Sequence, residues 1–221
     1  MNSRRLAAET EDELYLLYEQ YTDSLKPLLA FVETKVVKFP GPILNELRAV
    51  NDHVSRCFTN LNPSECHNEI SKAKGHLVRA MLDCYKLLLI SYEDDVKDFY
   101  QQYKDISLAV VNDGRFLPEL KQRHKLAIKK SQDAKMAESQ SFPEKEKAYE
   151  YYQEAILAFE DVVNHIDSNA TGLANASQYA KQQTKKQLWY CFLSAVLGCL
   201  LTIIIDKWSA ITECFWGLFG Q

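Results

Sequence analysis

The feature that most constrains this chain is a long apolar stretch near its C-terminus. Leu188 to Ile205 reads LWYCFLSAVLGCLLTIII and contains no charged residue, proline, asparagine or glutamine. As an α-helix it covers about 27 Å, which is close to the hydrocarbon thickness of a bilayer. Its Leu, Ile, Val and Phe side chains favour insertion by roughly 3 to 6 kcal/mol, and no buried charge opposes them. The stretch predicts one transmembrane helix, with a buried core helix of a soluble domain as the alternative.

Lysines are concentrated on one side of this stretch. Lys181, Lys185 and Lys186 precede it, whereas Asp206 and Lys207 follow it. An excess of lysine keeps its side of a membrane helix in the cytoplasm. The N-terminal residues MNSRRLAAETEDEL lack the apolar core of a secretory signal. We therefore expect a single-pass membrane protein whose N-terminal domain is cytoplasmic.

The residues after the predicted span are rich in aromatic side chains. Trp208, Ile211, Phe215 and Leu218 recur at helical spacing, which is typical of an amphipathic segment among lipid headgroups. The lipid bilayer is therefore the first predicted partner, and three tryptophans are expected to contact it: Trp189, Trp208 and Trp216.

The rest of the chain has the periodicity of α-helices. Glycine and proline are few, at seven and six in the whole chain, and apolar residues recur at steps of three and four. The longest series runs from Ile70 to Ile106. Its middle, Leu77 to Ile90, is apolar around almost its whole circumference and predicts a central helix covered by its neighbours. Pro27 is expected to kink or break the first helix near Asp23 and Ser24.

These signals divide the chain into four parts. Residues 1–166 are predicted to form an all-α antiparallel helical bundle with a long central helix. Residues 167–187 are expected to be a polar, partly helical stalk, 188–205 the transmembrane helix and 206–221 the amphipathic tail.

Helix boundaries inside the bundle follow from prolines, glycines and capping residues. Pro42 is expected to begin a second helix whose apolar stripe continues to Phe58 and Leu61. The triplet Asn112-Asp113-Gly114 is expected to close the long helix. Ser141 to Glu144 has the pattern of a capping box that opens the last helix of the bundle.

That last helix has a heptad rhythm, which favours left-handed packing against a partner helix in the same chain or in another copy. We expect a homo-oligomer through this helix, by way of its apolar residues Tyr149, Tyr152, Ile156, Phe159, Val163 and Ile166.

Two segments of eleven residues share an unusual spacing. ELRAVNDHVSR begins at Glu46 and EISKAKGHLVR begins at Glu69, and in each a histidine follows the glutamate by seven residues and an arginine follows the histidine by three. Such steps keep the three side chains on one face of a helix. If the helices pack antiparallel, the two polar faces meet and form a polar seam, which Asp83 at i+4 from Arg79 would extend. The seam residues are Glu46, His53, Arg56, Glu69, His76, Arg79 and Asp83.

The simplest interpretation of these residues is structural. Arg48, Asp52 and Arg56 form a ladder of charges at i, i+4 spacing, as solvated helix faces often do. A pair of histidines in a bundle is more often an interhelical hydrogen bond than an active site.

A sharper interpretation comes from a resemblance. Arg48-Ala-Val-Asn-Asp-His53 resembles the signature of the HEPN superfamily, an arginine and a histidine separated by four to six residues. HEPN proteins are small all-helical domains, and many act as metal-independent RNases in bacterial defence and toxin systems. The resemblance implies a composite site across a dimer, in which His53 acts as general base or acid at a ribose hydroxyl and Arg48 neutralises charge at the phosphate. Nucleic acid is an expected partner only in this interpretation.

A basic segment from Arg115 to Lys135 contains seven lysines and arginines against two acids, although the net charge of the chain is −4. It predicts a surface for anionic lipid, RNA or an acidic protein partner, with a solvated helix face as the commoner explanation. The residues of this basic patch are Lys121, Arg123, Lys125, Lys129 and Lys130.

No cofactor or metal site is predicted. The sequence lacks a Gly-rich phosphate loop, a nucleophile elbow and an HExxH motif. Its six cysteines include no CxxC pair, and their scatter gives neither a disulfide framework nor a zinc pattern. A cytoplasmic domain would keep its cysteines reduced. We therefore expect a tail-anchored interaction or sensor protein, for example a membrane-acting effector of bacterial defence, with the RNase as the alternative and a eukaryotic tail-anchored adaptor as a third hypothesis.

Overall fold

The computed structural model describes residues 6–36, 40–59, 62–140 and 144–219, without the side chains of 144–146 and 209–219. These ranges contain seven α-helices and no strand, so the all-α prediction is confirmed. The helices are α1 (Ala8–Gln20), α2 (Lys26–Lys35), α3 (Gly41–Cys57), α4 (Pro63–Gln102), α5 (Phe116–Glu138), α6 (Glu144–Ser168) and α7 (Ala170–Phe219).

The forty-residue helix α4 is the centre of the bundle. Four other helices, α1, α2, α3 and α6, pack against it. This confirms the prediction from its apolar middle, because a helix with neighbours on several sides must be apolar around most of its circumference. The fully covered side chains of that middle include Leu77, Val78, Ala80, Leu82, Cys84 and Leu88.

Consecutive helices run antiparallel in the two hairpins α3–α4 and α5–α6. Arg56 at the end of α3 pairs with Glu69 near the start of α4. Arg123 near the start of α5 pairs with Asp161 near the end of α6. Helix α6 lies parallel to α4, since Tyr85 meets Tyr152 and, two turns further along both helices, Tyr92 meets Phe159. The architecture is therefore the predicted antiparallel bundle built around α4.

Pro27 changes the first helix without breaking it. The five residues Tyr21–Leu25 form a π-helical turn that joins α1 directly to α2. A proline has no N–H to donate, and its ring clashes with the carbonyl four residues earlier, here that of Asp23. The wider π-turn relieves this clash at the predicted place while the chain continues as a helix.

Two predicted boundaries are wrong. Helix α3 ends at Cys57, and Phe58 beyond it is 57% exposed rather than part of the apolar stripe. Helix α4 ends at Gln102, before Asn112-Asp113-Gly114. That triplet instead forms the turn before α5, because all three residues have a positive φ, of 49°, 52° and 81°. Asn, Asp and Gly are the residues that adopt this left-handed conformation most readily. Leu61 and the capping box at Ser141 lie outside the described residues.

The heptad residues of α6 face helices of the same chain. Tyr152, Ile156 and Phe159 are buried. The Tyr152 ring stacks on Tyr85 of α4, and the Phe159 ring stacks on Tyr92 of α4. Of the two partners that the sequence left open, the structure shows the one in the same chain. A homo-oligomer through α6 stays a prediction, and it would have to use the exposed side of this helix.

Helix α7 joins the bundle to the predicted span without interruption. The stretch expected to be a partly helical stalk is helical from Ala170 onward. Leu173 and Ala176 are buried in the bundle. Gly172 lies against Val111, where an added Cβ would come within 3.1 Å of the Val111 side chain. A glycine here therefore allows α7 to approach the 108–114 segment closely.

Beyond this anchor point α7 is exposed. By length and composition, the helical stretch Ala170–Trp208 is able to cross a membrane. None of the residues in its most apolar part is buried. Trp189 is 62% exposed and Trp208 is 61% exposed. The side chain of Trp216 lies outside the described part of the structure. The buried-core alternative for this stretch does not apply, whereas the division into stalk, span and interfacial tail stays a prediction.

Helix α4 begins with a complete capping box, which fixes the start of the element that carries half of the seam. The Asn62 side chain accepts from the Glu65 backbone N–H at 2.9 Å, and the Glu65 side chain accepts from the Asn62 backbone N–H at 3.0 Å. We expect Asn62→Ala to destabilise the bundle by about 1 kcal/mol, as loss of an N-cap does. Thermal unfolding followed by circular dichroism measures this effect, with the exposed Asn68→Ala as the matched control, and equal melting temperatures for the two variants would contradict it.

Candidate functional site

The polar seam lies along one edge of the contact between α3 and α4. On α3 the buried Val50 and Val54 hold the helix against α4. His53 stands beside them, and its side chain is only 14% exposed. On α4 the buried Ala73 and Leu77 flank His76, which is half-buried. Apolar packing thus fixes the distance between the helices, and the polar side chains meet at the edge of this apolar contact.

One half of the seam is centred on Glu69. The His53 ring meets Glu69 Oε2 through Nδ1 at 2.8 Å, and Arg56 Nη1 donates to the same oxygen at 3.1 Å. Lys72 Nζ donates to the other oxygen, Oε1, at 2.5 Å. Glu69 is 8% exposed, so this carboxylate is buried and receives bonds from three side chains. Lys72 was not among the predicted site residues, although its i+3 spacing from Glu69 was a usable signal.

The other half of the seam repeats this arrangement around Glu46. The His76 ring meets Glu46 Oε2 through Nδ1 at 2.7 Å, and Arg79 Nε donates to the same oxygen at 3.0 Å. Each glutamate therefore binds the histidine and the arginine of the opposite segment. The sequence predicted that the two faces meet, and the structure brings these residues together.

The two histidines complete the seam by stacking on each other. The ring centroids of His53 and His76 are 5.1 Å apart, with an angle of 26° between the ring planes. Exchanging the two segments, a shift of 23 residues, converts the histidine and arginine contacts of one half into those of the other. The Lys72 bond has no counterpart, because Ala49 stands at the equivalent position. The seam therefore has an approximate twofold axis between the histidine rings. Equal spacing in the two segments is the sequence property that makes this symmetry possible.

Both carboxylates are held in their ionised form. Hydrogen bonds from His53 and Lys72 and the nearby charge of Arg56 lower the pKa of Glu69 to about 2. Burial opposes ionisation of Glu46, but hydrogen bonds from His76 and Arg79 outweigh it and leave the Glu46 pKa below its ordinary value. An ionised carboxylate only accepts hydrogen bonds, so Nδ1 of each histidine must carry a proton. The second ring nitrogen, Nε2, is then the one with acid or base capacity.

Two predicted site residues lie apart from the seam. Arg48 is exposed on α3. Asp83 was expected to extend the seam through Arg79, which is wrong. Asp83 pairs with Lys86 at 2.7 Å, and Lys86 also reaches Glu138 of α5 at 3.2 Å. The reason is that Arg79 turns across the helix contact to Glu46, which leaves Asp83 to the lysine one turn further along α4.

The basic patch divides into paired and exposed cations. Arg123 pairs with Asp161, and Lys130 pairs with Glu154 at 2.5 Å, so these two residues fasten α5 to α6. The remaining three lie on one stripe of α5 at steps of four and are exposed: Lys121, Lys125 and Lys129. Within the basic patch, this stripe is the part that is open to an anionic partner.

The seam has the chemistry of a clamp between helices. Across the described residues no group of three or more His, Cys, Asp or Glu side chains is placed to hold a metal ion. The described contacts give both glutamates, both Nδ1 atoms and both arginines a partner within the chain. The ring nitrogens left for chemistry are the two Nε2 atoms, on imidazole rings that stack against each other.

The comparisons with known proteins add no family: no family model matches the sequence, and no curated protein or solved structure matches it. The likeness to HEPN domains therefore depends on Arg48 and His53 alone.

Proposed function

We propose that this chain is a tail-anchored interaction protein, whose helical bundle stands on the cytoplasmic face of a membrane. The observation that carries the proposal is the exposure of the most apolar part of α7. Large side chains such as Leu188, Phe192 and Leu201 are 66%, 60% and 58% exposed. A helix that exposes large apolar side chains on every side is unfavourable in water and favourable in lipid. Lipid is the solvent that matches it.

The connection between bundle and membrane is a continuous helix. Ala176, the last buried residue in the part of α7 with described side chains, lies twelve positions before Leu188, or about 18 Å along the helix axis. A rigid connection of this length transmits a movement of the bundle to the span. Binding of a partner to the bundle therefore acts on the membrane segment, which is what a sensor with a membrane output requires.

Clustering of spans is the membrane output that we propose. Ser194, Gly198 and Thr202 follow one another at steps of four, and small residues at this spacing let membrane helices approach closely. Gly198 has open space around it in the single chain. Clustered spans of this kind perturb a bilayer, as a membrane-acting effector of a bacterial defence or cell-death system would.

The RNase interpretation is the second candidate, and one observation favours it. Glu69 orients the His53 ring through Nδ1, which is how a carboxylate commonly supports a general base. Arg48, exposed on the same helix, is accessible to a second copy of the chain. Against it, His53 is largely buried and its ring is covered by His76. A substrate would have to separate the two histidines to reach Nε2.

One experiment distinguishes the two candidates. The full chain, a chain ending at Lys186 and the Arg48→Ala/His53→Ala double variant are expressed while growth, membrane potential and RNA integrity are followed. We expect the full chain and the double variant to depolarise the membrane and slow growth, and the shortened chain to do neither. Arg48→Ala alone controls for loss of the exposed charge.

The opposite pattern would support the RNase. RNA cleavage by the shortened chain, lost in the double variant, would establish Arg48 and His53 as catalytic and overturn the first proposal. Full-length expression that leaves both growth and membrane potential unchanged would contradict the membrane effector.

A further inference from the structure

Two buried cysteines face each other at the corner between α3 and α4. Cys57 is the last residue of α3, and Cys66 lies in the first turn of α4. They are 3% and 2% exposed. Cys57 Sγ lies 3.7 Å from the carbonyl oxygen of Cys66, and Cys66 Sγ lies 3.7 Å from the carbonyl oxygen of Cys57. Each sulfur thus reaches across the helix contact to the backbone of the other residue.

We propose that Cys57 and Cys66 form an intramolecular disulfide when the bundle meets an oxidising low-molecular-weight disulfide such as oxidised glutathione. This goes beyond the membrane function, since it concerns how the α3–α4 hairpin is held. The reciprocal contact is the supporting observation, because a disulfide needs two cysteines whose side chains point toward each other across a short gap. The scatter of the cysteines along the chain did not indicate this pair, because eight intervening residues at a corner between two helices fix no geometry.

The reaction is a thiol–disulfide exchange in two steps. The thiolate of one cysteine attacks a sulfur of oxidised glutathione, forms a mixed disulfide and releases one glutathione thiolate. The thiolate of the second cysteine then attacks the protein-bound sulfur and releases the other glutathione. Two protein thiols lose two protons and two electrons, and one oxidised glutathione becomes two reduced ones.

The rate should be slow at neutral pH and rise with pH. Burial and the neighbouring Cys66 thiol raise the pKa of Cys57 to about 11. The thiolate is the nucleophile, so its fraction grows about tenfold for each pH unit below that value. Glu69 also faces this pair and disfavours the thiolate. Exchange between pH 7 and 9 is therefore expected to accelerate by up to about a hundredfold.

The disulfide would lock the half of the seam that contains Glu69. Cys57 directly follows Arg56, and Cys66 lies one helical turn before Glu69. A bond between the cysteines closes a short ring around the α3–α4 connection. Restriction of the unfolded chain by a ring of this size raises the melting temperature of a domain this large by roughly 5 to 10 °C.

Cys84 is the internal control for this inference. It is buried in the middle of α4, and burial raises its pKa to about 12. It lies eighteen residues after Cys66 on the same helix, or about 27 Å along the axis. It therefore shares the burial of the pair and the raised pKa of Cys57, but it is too far from Cys66 to bond with it.

The test uses the full chain in detergent micelles, equilibrated at pH 8.5 with increasing ratios of oxidised to reduced glutathione. A protein disulfide isomerase is included, so that slow exchange at buried thiols does not resemble a negative result. Free thiols are alkylated in denaturant, and peptides are identified by mass spectrometry. We expect a peptide pair joining Cys57 to Cys66 that increases with the oxidising ratio, while Cys84 stays alkylated.

Variants and melting curves decide the outcome. Cys57→Ser is expected to lose the joined peptide and the rise in melting temperature, whereas Cys84→Ser keeps both. Cys57 and Cys66 that are both alkylated at the most oxidising ratio would overturn the proposal. So would glutathione adducts on the two cysteines without a bond between them.

Discussion

Two arginines in the middle of the span are expected to release the chain from the membrane. The variant is Leu197→Arg/Leu200→Arg, and both leucines are half-exposed on α7 with no protein around them. Each substitution costs about 3 to 4 kcal/mol, the sum of the arginine penalty and the lost leucine. Together they exceed the roughly 3 to 6 kcal/mol by which the span favours insertion. After washing at alkaline pH, the parent chain should stay with the membranes and the variant should not.

Matched controls place the same charge on exposed leucines elsewhere. Leu126 on α5 is 52% exposed and Leu157 on α6 is 63% exposed, values similar to those in the span. Leu126→Arg and Leu157→Arg are expected to leave the membrane fraction unchanged. A parent chain that washes off membranes as a dispersed monomer would show that water solvates α7, and the proposal of a tail anchor would be wrong.

The general architecture was predictable because it depends on patterns that extend over many residues. An apolar pattern of helical period that continues through most of a forty-residue helix predicts one long helix. Because its middle is apolar around most of its circumference, α4 was recognised as the central helix. The helix that is long and apolar enough to cross a membrane was predicted for the same reason, since the length of the stretch and its lack of charge suffice for that prediction. Pro27 alone predicted a kink or break near Asp23 and Ser24, and the structure has a π-turn at that place, Tyr21–Leu25.

Boundaries and partners were less predictable, because they depend on contacts between distant parts of the chain. The apolar rhythm of α4 continues through Tyr103 and Ile106, and both pack against the core although the helix has ended. Hydrophobic periodicity thus indicates which side chains contact the core, but it does not show that the backbone carrying them is helical. The heptads of α6 likewise define an apolar face without saying which chain covers it.

The seam shows which contacts residue spacing alone can predict. Equal steps in two segments predicted that Glu46, His53 and Arg56 face their counterparts on α4. Spacing did not predict the exchange of partners, in which each glutamate binds the histidine of the other segment. That exchange depends on the register of the helix pair, which buried residues such as Val50 and Leu77 determine by packing. Asp83 was wrongly assigned to Arg79 because the two residues are four positions apart on α4. The partner of Arg79 is instead determined by the contact across the helices, with Glu46.

Loss of the Glu69 charge is expected to have the largest effect of any single substitution in the seam. Glu69→Gln keeps the shape of the side chain but leaves three donors, from His53, Arg56 and Lys72, beside a neutral amide. Hydrogen bonds to charged groups are the strong ones, so the melting temperature should fall by roughly 5 °C. Glu46→Gln is the symmetric control, and it should cost less because Glu46 has two partners and is more exposed.

The pH dependence separates the charge from the shape of Glu69. Its pKa in the folded chain is about 2, below the ordinary value of 4.5. As pH falls between these values the unfolded chain takes up a proton before the folded one does, so folding loses stability. The contribution of Glu69 is thus complete above about pH 4.5 and disappears as pH approaches 2. The parent chain should lose its advantage over Glu69→Gln across this window.

The measurement is a set of melting curves by circular dichroism between pH 2 and 7 for the parent chain and both variants. The gap between parent and Glu69→Gln is expected to be constant above pH 5 and to close toward pH 2. The difference between the two chains isolates Glu69, because all other carboxylates titrate in both. A gap that stays the same down to pH 2.5 would mean that the Glu69 carboxylate is not stabilised by its three donors. The clamp between α3 and α4 would then depend on packing at Val50, Val54 and Leu77 rather than on charge.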